Sequence, residues 1–382
     1  MKVIDADTHL YEGRGLWAEY ADPDDRHVAL RICDDELGHA WLMLGDRRIH
    51  LAEVHHPGDV SSMGAYRERV RQGLPAERPY DEALPRHFWD PAVRRDRLDE
   101  MGLDEAVVFP NFGLLWERPL ASDLHATQVN MAAWNRWAVA VAQEGRGRLH
   151  PVAHLSLRDR PFLEEQLRLM AAGDLHLAMI APALVDGRPL SHPDLDWAWS
   201  AFEEHGVSPV FHVANFPNPF HDGWYAGDPD EVAPVLSSVF IWTPPALALA
   251  DLAVNGVLAR HSDLRVGVME LSAIWVPMFL LMLDGGFDFH ARFNGRPLHA
   301  LELRPSEYIR RQVRVAAFGY ERPDRLIGQA GELFMFCSDF PHAEGLAQPL
   351  EEYRHLCGPV EEPASHRLYG GNVGWLLDAA PS

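Results

Sequence analysis

The stretch Val3-Ile4-Asp5-Ala6-Asp7-Thr8-His9 reads as a β-strand that ends in chemistry. Alternation at period two places Asp5, Asp7 and His9 on one face. A carboxylate two residues from a neutral imidazole can chelate one divalent cation. Such groups at a strand end suit the first strand of a barrel, because the C-terminal ends of barrel strands form the mouth where active sites are built. Seven further β-type runs follow: Glu105 to Phe109, Leu149 to Ala153, Leu177 to Ile180, Ser208 to Phe211, Arg265 to Met269, Val313 to Ala316 and Leu333 to Cys337. Eight such runs alternating with helical patterns predict an α/β fold, a (β/α)8 TIM barrel rather than a doubly wound sheet.

The 382 residues are expected to form one decorated barrel domain, residues 1–382. About a hundred residues separate the first two runs, and residues 10–95 are expected as an insertion. Within it Ala40 to Leu44 and Arg48 to Ala52 flank Gly45-Asp46 as a hairpin. A second long connection, residues 213–243, carries Phe216, Phe220, His221, Trp224 and Tyr225 among prolines and glycines, which suits a loop covering a site. Ser365 to Leu377 is expected to be a closing helical segment.

A formal charge of −22 argues against a broad footprint for nucleic acid or an anionic membrane and favours a small-molecule ligand. The apolar run Ile274 to Leu283 is far shorter than the ~20 residues that span a bilayer. Cys33, Cys337 and Cys357 show no metal-type pairing, and Lys2-Val3-Ile4-Asp5 opens without a signal-like apolar stretch. A reducing, cytoplasmic setting is expected. The only lysine is Lys2.

Two other strand ends carry chemistry. Val207-Ser208-Pro209-Val210-Phe211-His212 places His212 at the mouth end of the fifth strand. In Phe334-Met335-Phe336-Cys337-Ser338-Asp339-Phe340-Pro341-His342-Ala343-Glu344-Gly345 an apolar strand emerges into Asp, His and Glu beside turn residues. Glu270 ends the sixth strand, and His154 lies near the end of the third. Whether Glu270, His342, Glu344 and His154 ligate a metal or support the ligands is open at this point.

The D-x-D-x-H opening, the strand-five histidine and the S-D-F-P-H-x-E-G segment resemble the amidohydrolase-2 branch of the amidohydrolase superfamily over essentially the whole chain. The resemblance implies metal ligands at Asp7, His9, His212 and Asp339. A two-metal site bridged by a carboxylated lysine is excluded, since Lys2 cannot reach a barrel mouth. Within the branch the chain resembles the barrel-fold nonheme diiron monooxygenases, such as the platensimycin and platencin biosynthetic hydroxylase. That resemblance implies two Fe, with Glu270 and His342 joining Asp7, His9, His212 and Asp339, and catalytic roles for Asp339, His342 and Glu270. It further implies O2, an external electron donor, and hydroxylation of a bulky apolar, terpenoid-like substrate, CoA-linked in many members, in natural-product biosynthesis. Phe216, Trp224, Tyr225 and Trp275 would line the substrate pocket. The alternative is a mononuclear Zn- or Mn-dependent decarboxylase or hydrolase of the same branch. A homodimer is the commonest oligomeric expectation.

Overall fold

The computed structural model describes residues 2–214, 216–218, 220–225 and 235–378. Eight parallel strands follow one another around a barrel: β1 (Ile4–Leu10), β2 (Glu105–Pro110), β3 (Leu149–His154), β4 (Leu177–Met179), β5 (Ser208–Phe211), β6 (Val266–Val268), β7 (Val313–Ala317) and β8 (Phe334–Phe336). Each pairs with its sequence neighbour. Closure between β8 and β1 falls to the residues just past β8: Asp339 N donates to Asp7 O at 2.9 Å and His9 N to Phe340 O at 2.7 Å. The barrel is therefore knitted shut at the segment carrying Asp339.

Residues alternate along each strand between two apolar layers. Ile4, Ala6, Val107, Phe109, Val152, Met179, Val210, Met269, Ala316 and Met335 pack together inside the barrel, capped by Val373 and Leu376 of the closing helix Asn372–Leu377. Their neighbours Ala106, Val108, Ala153, Ala178, Phe211, Val268, Val315 and Phe336 pack outward against the surrounding helices. Burial on both faces is why these strands read as near-continuous apolar runs.

Strict alternation fails at one place that matters. The β1–β2 register shifts between Asp5 and Thr8, a bulge that re-aims the strand. Ile4 and Ala6 point into the barrel, yet Asp7 and His9 beyond them also face inward at the mouth. Asp5 does not share their face as the period predicts. Its Oδ1 accepts the N–H groups of Asp7 and Ser338 at 3.1 and 3.0 Å. Burial pushes its carboxyl up to about 7.

The connection from β1 to β2 holds a three-stranded antiparallel sheet, Arg31–Asp34, Ala40–Leu44 and Arg47–Leu51, so the expected hairpin has a third strand. Gly45, with φ of 56°, makes its turn. The helix Val60–Arg71 follows. Gly58 N donates to Ala343 O and Tyr11 N to Phe88 O, both at 2.8 Å, which ties this connection to the mouth. Among the described residues no helix is long and apolar enough to cross a membrane. Of the expected cover segment, 215, 219 and 226–234 lie outside the described residues. The rest includes a short turn of helix, Asp222–Tyr225, and the helix Val235–Val239.

Candidate metal centre

Four strand ends deliver the candidate ligands. β1 presents Asp7 and His9, β5 is followed by His212, β6 by Met269-Glu270, and β8 by Cys337-Ser338-Asp339. Glu270 and Asp339 adopt left-handed backbone, φ 51° and 58°. Non-glycine residues rarely do so, and such outliers persist where the surrounding structure imposes them, often at functional sites. Here the turn comes immediately after the strand. Gly345 explains part of the Asp339 turn: a Cβ there would stand 2.3 Å from Asp339 O, so only glycine lets the loop fold back.

The side chains converge. Nε2 of His9 lies 3.1 Å from Asp339 Oδ1, 3.3 Å from Asp7 Oδ1 and 3.9 Å from Glu270 Oε2. Nε2 of His212 lies 3.4 Å from Asp7 Oδ1 and 3.3 Å from Glu270 Oε2. Nδ1 of His342 is 2.7 Å from Asp339 Oδ1. Two overlapping quartets, Asp7-His9-His212-Glu270 and His9-Glu270-Asp339-His342, each offer ligand atoms within 4.8 Å of one another.

The unsatisfied atoms speak for a cation. Asp7 Oδ2, His9 Nε2, Glu270 Oε2 and both Asp339 carboxylate oxygens are buried without a hydrogen-bond partner. Buried polar atoms left unpaired cost about 1–3 kcal/mol each, more for charged groups, so five in one volume call for a bound group. The donor set of imidazole nitrogens and carboxylate oxygens suits a divalent ion.

The electrostatics agree. Burial raises the Glu270 carboxyl well above its usual range, and the Asp339 charge adds to it. Burial opposes ionisation of Asp7 and Asp339 too, but His212 beside Asp7 and His342 beside Asp339 hold both below the ordinary carboxylate value. At His9 burial disfavours the charged ring, yet the close approach of the Asp339 and Asp7 carboxylates, at 3.1 and 3.3 Å, prevails and lifts it to about 10. Three carboxylates around one buried volume favour positive charge at its centre.

Backbone acceptors fix the rings. His9 Nδ1 donates to Pro110 O at 2.8 Å and His212 Nδ1 to Val213 O at 3.2 Å, leaving each Nε2 facing inward. His342 Nε2 donates to Asn111 Oδ1 at 2.8 Å. Asn111 is in turn held by Glu12, whose buried carboxylate accepts the N–H groups of Asn111, Phe112 and Gly113 at 2.8 to 3.1 Å. Neither Asn111 nor Glu12 was singled out from the sequence. Asn111 directly follows Phe109-Pro110 at a strand's mouth end, which is the signal that marked His212.

The other expected residues separate. His154 pairs with Glu117, Nε2 to Oε2 2.7 Å, and packs against Trp116, outside both quartets. Glu344 is exposed and also outside them. Phe216 lines an apolar cavity of about 460 Å³ with Pro182, Leu184, Leu190 and Leu247. Trp224 is exposed, whereas Trp275 and Tyr225 are buried. Trp275 donates to the Ser272 carbonyl at 2.8 Å and packs between Trp242 and Phe279, a core contact at the base of the next helix.

No protein-family model and no curated protein matches the chain. Solved structures do. An amidohydrolase from Mycobacterium avium subsp. paratuberculosis K-10 superposes with a TM-score of 0.78 at 22% identity, covering 98% of this chain and 99% of that one. A 5-carboxyvanillate decarboxylase from Novosphingobium aromaticivorans DSM 12444, complexed with manganese and 4-hydroxy-3-methoxy-5-nitrobenzoic acid, gives 0.64 at 16% identity over 98% and 96%. A dihydroxybenzoic acid decarboxylase from Polaromonas sp. JS666, with bound manganese and 2-nitroresorcinol, gives 0.60 at 12% over 98% and 96%. These likenesses establish the barrel fold. They also overturn the expected nonheme diiron monooxygenase, because the similar structures are amidohydrolases and decarboxylases. The two Fe, the O2 and electron-donor requirement and the CoA-linked terpenoid substrate lose their basis with it. The physical reason is that nitrogen and carboxylate ligands serve iron, manganese and zinc alike, so the motifs could not separate the chemistries. What the chain shares with these structures, over nearly its whole length, is the fold of the amidohydrolase-type barrel.

Proposed function

We propose that this protein is a mononuclear metal-dependent enzyme, a decarboxylase or hydrolase of small organic acids, with aromatic carboxylates the first substrates to test. The observation carrying this reading is the set of orphaned buried atoms shared by Asp7, His9, Glu270 and Asp339 at the barrel mouth. Asp7, His9, His212 and Asp339 would hold the ion, with Glu270 at its edge; manganese or zinc suits such ligands. When bound, the ion would polarise a substrate carboxylate or lower the pKa of a water molecule.

The chain's own groups supply the rest. The Asp7, His9, His212 and Asp339 side chains are at most 1% exposed, so the site excludes bulk water. Decarboxylation breaks a C–C bond, leaves the electron pair on the ring carbon and requires a proton there. His342 Nδ1 and Asp339 Oδ1, 2.7 Å apart, are the pair from which that proton would come. Burial disfavours the charged His342 ring, but the Asp339 carboxylate outweighs it and keeps the imidazole a proton carrier above its usual pKa.

Elemental analysis of the purified protein tests the metal, and CO2 release from a panel of hydroxybenzoates, beside ester and amide hydrolysis assays, tests the reaction. One manganese or zinc per chain with turnover of any panel member supports the proposal. A metal-free protein, or a loaded one inert toward every member, overturns it.

A further inference from the structure

The cavity that Phe216 lines opens between two loops at the mouth end of the barrel and the helix Thr243–Val254. Pro182 follows closely on Met179, the last residue of β4, and Phe216 follows closely on His212. Met179 pairs with Val210 of β5, so the two loops start side by side. The stretch of chain from His212 to Phe216 spans at most about 14 Å, which keeps this wall of the cavity close to the metal centre.

The walls are largely apolar: Pro182, Leu184, Leu190, Phe216, Pro244 and Leu247. Leu184 and Leu247 are 66 and 71% exposed, so the cavity is an open cleft whose apolar surface is not used up in core packing. Among the described lining residues Asp251 alone is ionisable, and its carboxylate is already engaged. It accepts Ser191 N and Oγ at 2.8 and 2.7 Å and Asn255 Nδ2 at 2.9 Å. No free charge is left there to hold an ionic group, so an occupant must be apolar where it meets these walls. Thr243 adds a hydroxyl oxygen that is buried without a hydrogen-bond partner among the described residues. Apolar walls with a few polar atoms, in a volume of about 460 Å³, have the composition and size of a small-molecule site.

We propose that this cleft is a subsite for an apolar tail of the substrate, so that the acid whose carboxylate reaches the metal centre also carries an alkyl chain. The inference rests on the reading of the centre as a site for small organic acids. Calorimetric titration of manganese-loaded protein with benzoate and its 4-butyl, 4-hexyl and 4-octyl derivatives tests it. Affinity should rise about fourfold for each methylene that the cleft covers. Leu184→Gln combined with Leu247→Gln should lose most of that gain, and either substitution alone should lose part of it. Leu74→Gln, at an exposed apolar position outside the cleft, should keep it. Circular dichroism checks that each variant is folded. Removing manganese with a chelator should weaken every member of the series by one common factor, because the carboxylate end sits at the metal. A gain that the double variant keeps in folded protein, or a 4-octyl derivative whose affinity ignores manganese, overturns the subsite. Benzoate binding that needs manganese but shows no gain with chain length overturns the subsite and leaves the metal site standing. A chain-length gain lost in the variants, in protein that turns over no acid, supports the subsite and overturns the reaction.

Discussion

His342 donates from Nε2 to Oδ1 of Asn111 at 2.8 Å while its Nδ1 stands 2.7 Å from Asp339. One side chain thus decides which nitrogen of His342 faces the carboxylates, and that side chain comes from a different strand end. Because Glu12 pins the Asn111 backbone through three N–H bonds, the ring is oriented from two further places in the chain.

Asn111→Ala should therefore lower turnover about 10- to 100-fold, the usual cost of losing the partner that orients a site histidine. Metal content should stay near the wild-type level. Steady-state kinetics with elemental analysis checks this, and an unchanged kcat would show that His342 needs no orienting partner.

Asp7→Ala, His212→Ala and Asp339→Ala should each abolish stoichiometric metal binding. A chelator should lower the thermal midpoint of the wild type and leave these variants unmoved, since a ligand at a hundred times its Kd stabilises by about 2.7 kcal/mol. Calorimetric scans with and without chelator separate loss of metal from loss of fold.

Gly345→Ala should loosen the centre without touching a candidate ligand. The added Cβ would meet Asp339 O at 2.3 Å, and backbone cannot yield as a flexible side chain does. A cost of about 1–3 kcal/mol in unfolding free energy is expected, as for other overpacked sites. Metal affinity should fall together with it. Denaturant titration and metal competition measure the two effects in one preparation.

Stability toward acid should depend on Glu105, far from the mouth. Its carboxylate accepts from His150 Nε2 at 2.9 Å and pairs with Lys2, and these contacts, the His150 bond foremost, hold it down at about 2. A depressed carboxylate stabilises the fold above its unfolded pKa, and the contribution fades as pH falls from about 4.5 toward 2. Glu105→Gln should remove about 1 kcal/mol at neutral pH, since solvent screens the exposed Lys2 partner, and flatten the acid limb over that window. Urea unfolding at several pH values gives the slope; parallel profiles for variant and wild type would contradict the assignment.

The positions of the strands were legible because each is buried on both faces and so appears as a continuous apolar run of local origin. Ser208 to Phe211 is matched residue for residue, and the other seven agree within a few positions at their ends. Asp7, His9, His212, Glu270 and Asp339 were legible for a related reason: a barrel sends its strand ends to one mouth, so ionisable residues following apolar runs must meet there.

Tertiary structure decided what local periodicity cannot hold. The bulge in β1 removes Asp5 from the face of Asp7 and His9, because a bulge depends on pairing with a strand a hundred residues away. Asn111 and Glu12 gain their roles only when the ends of β1, β2 and β8 are side by side. Trp275 proves to be core because the helix after β6 turns it inward, while the apolar cleft beside Phe216 exists only where the loops after β4 and β5 meet a later helix. Composition and pattern by themselves determined a barrel with a carboxylate-imidazole mouth. Which groups touch, which ring nitrogen faces inward and which apolar face stays uncovered depend on distances between segments remote in the chain, and only folding sets those.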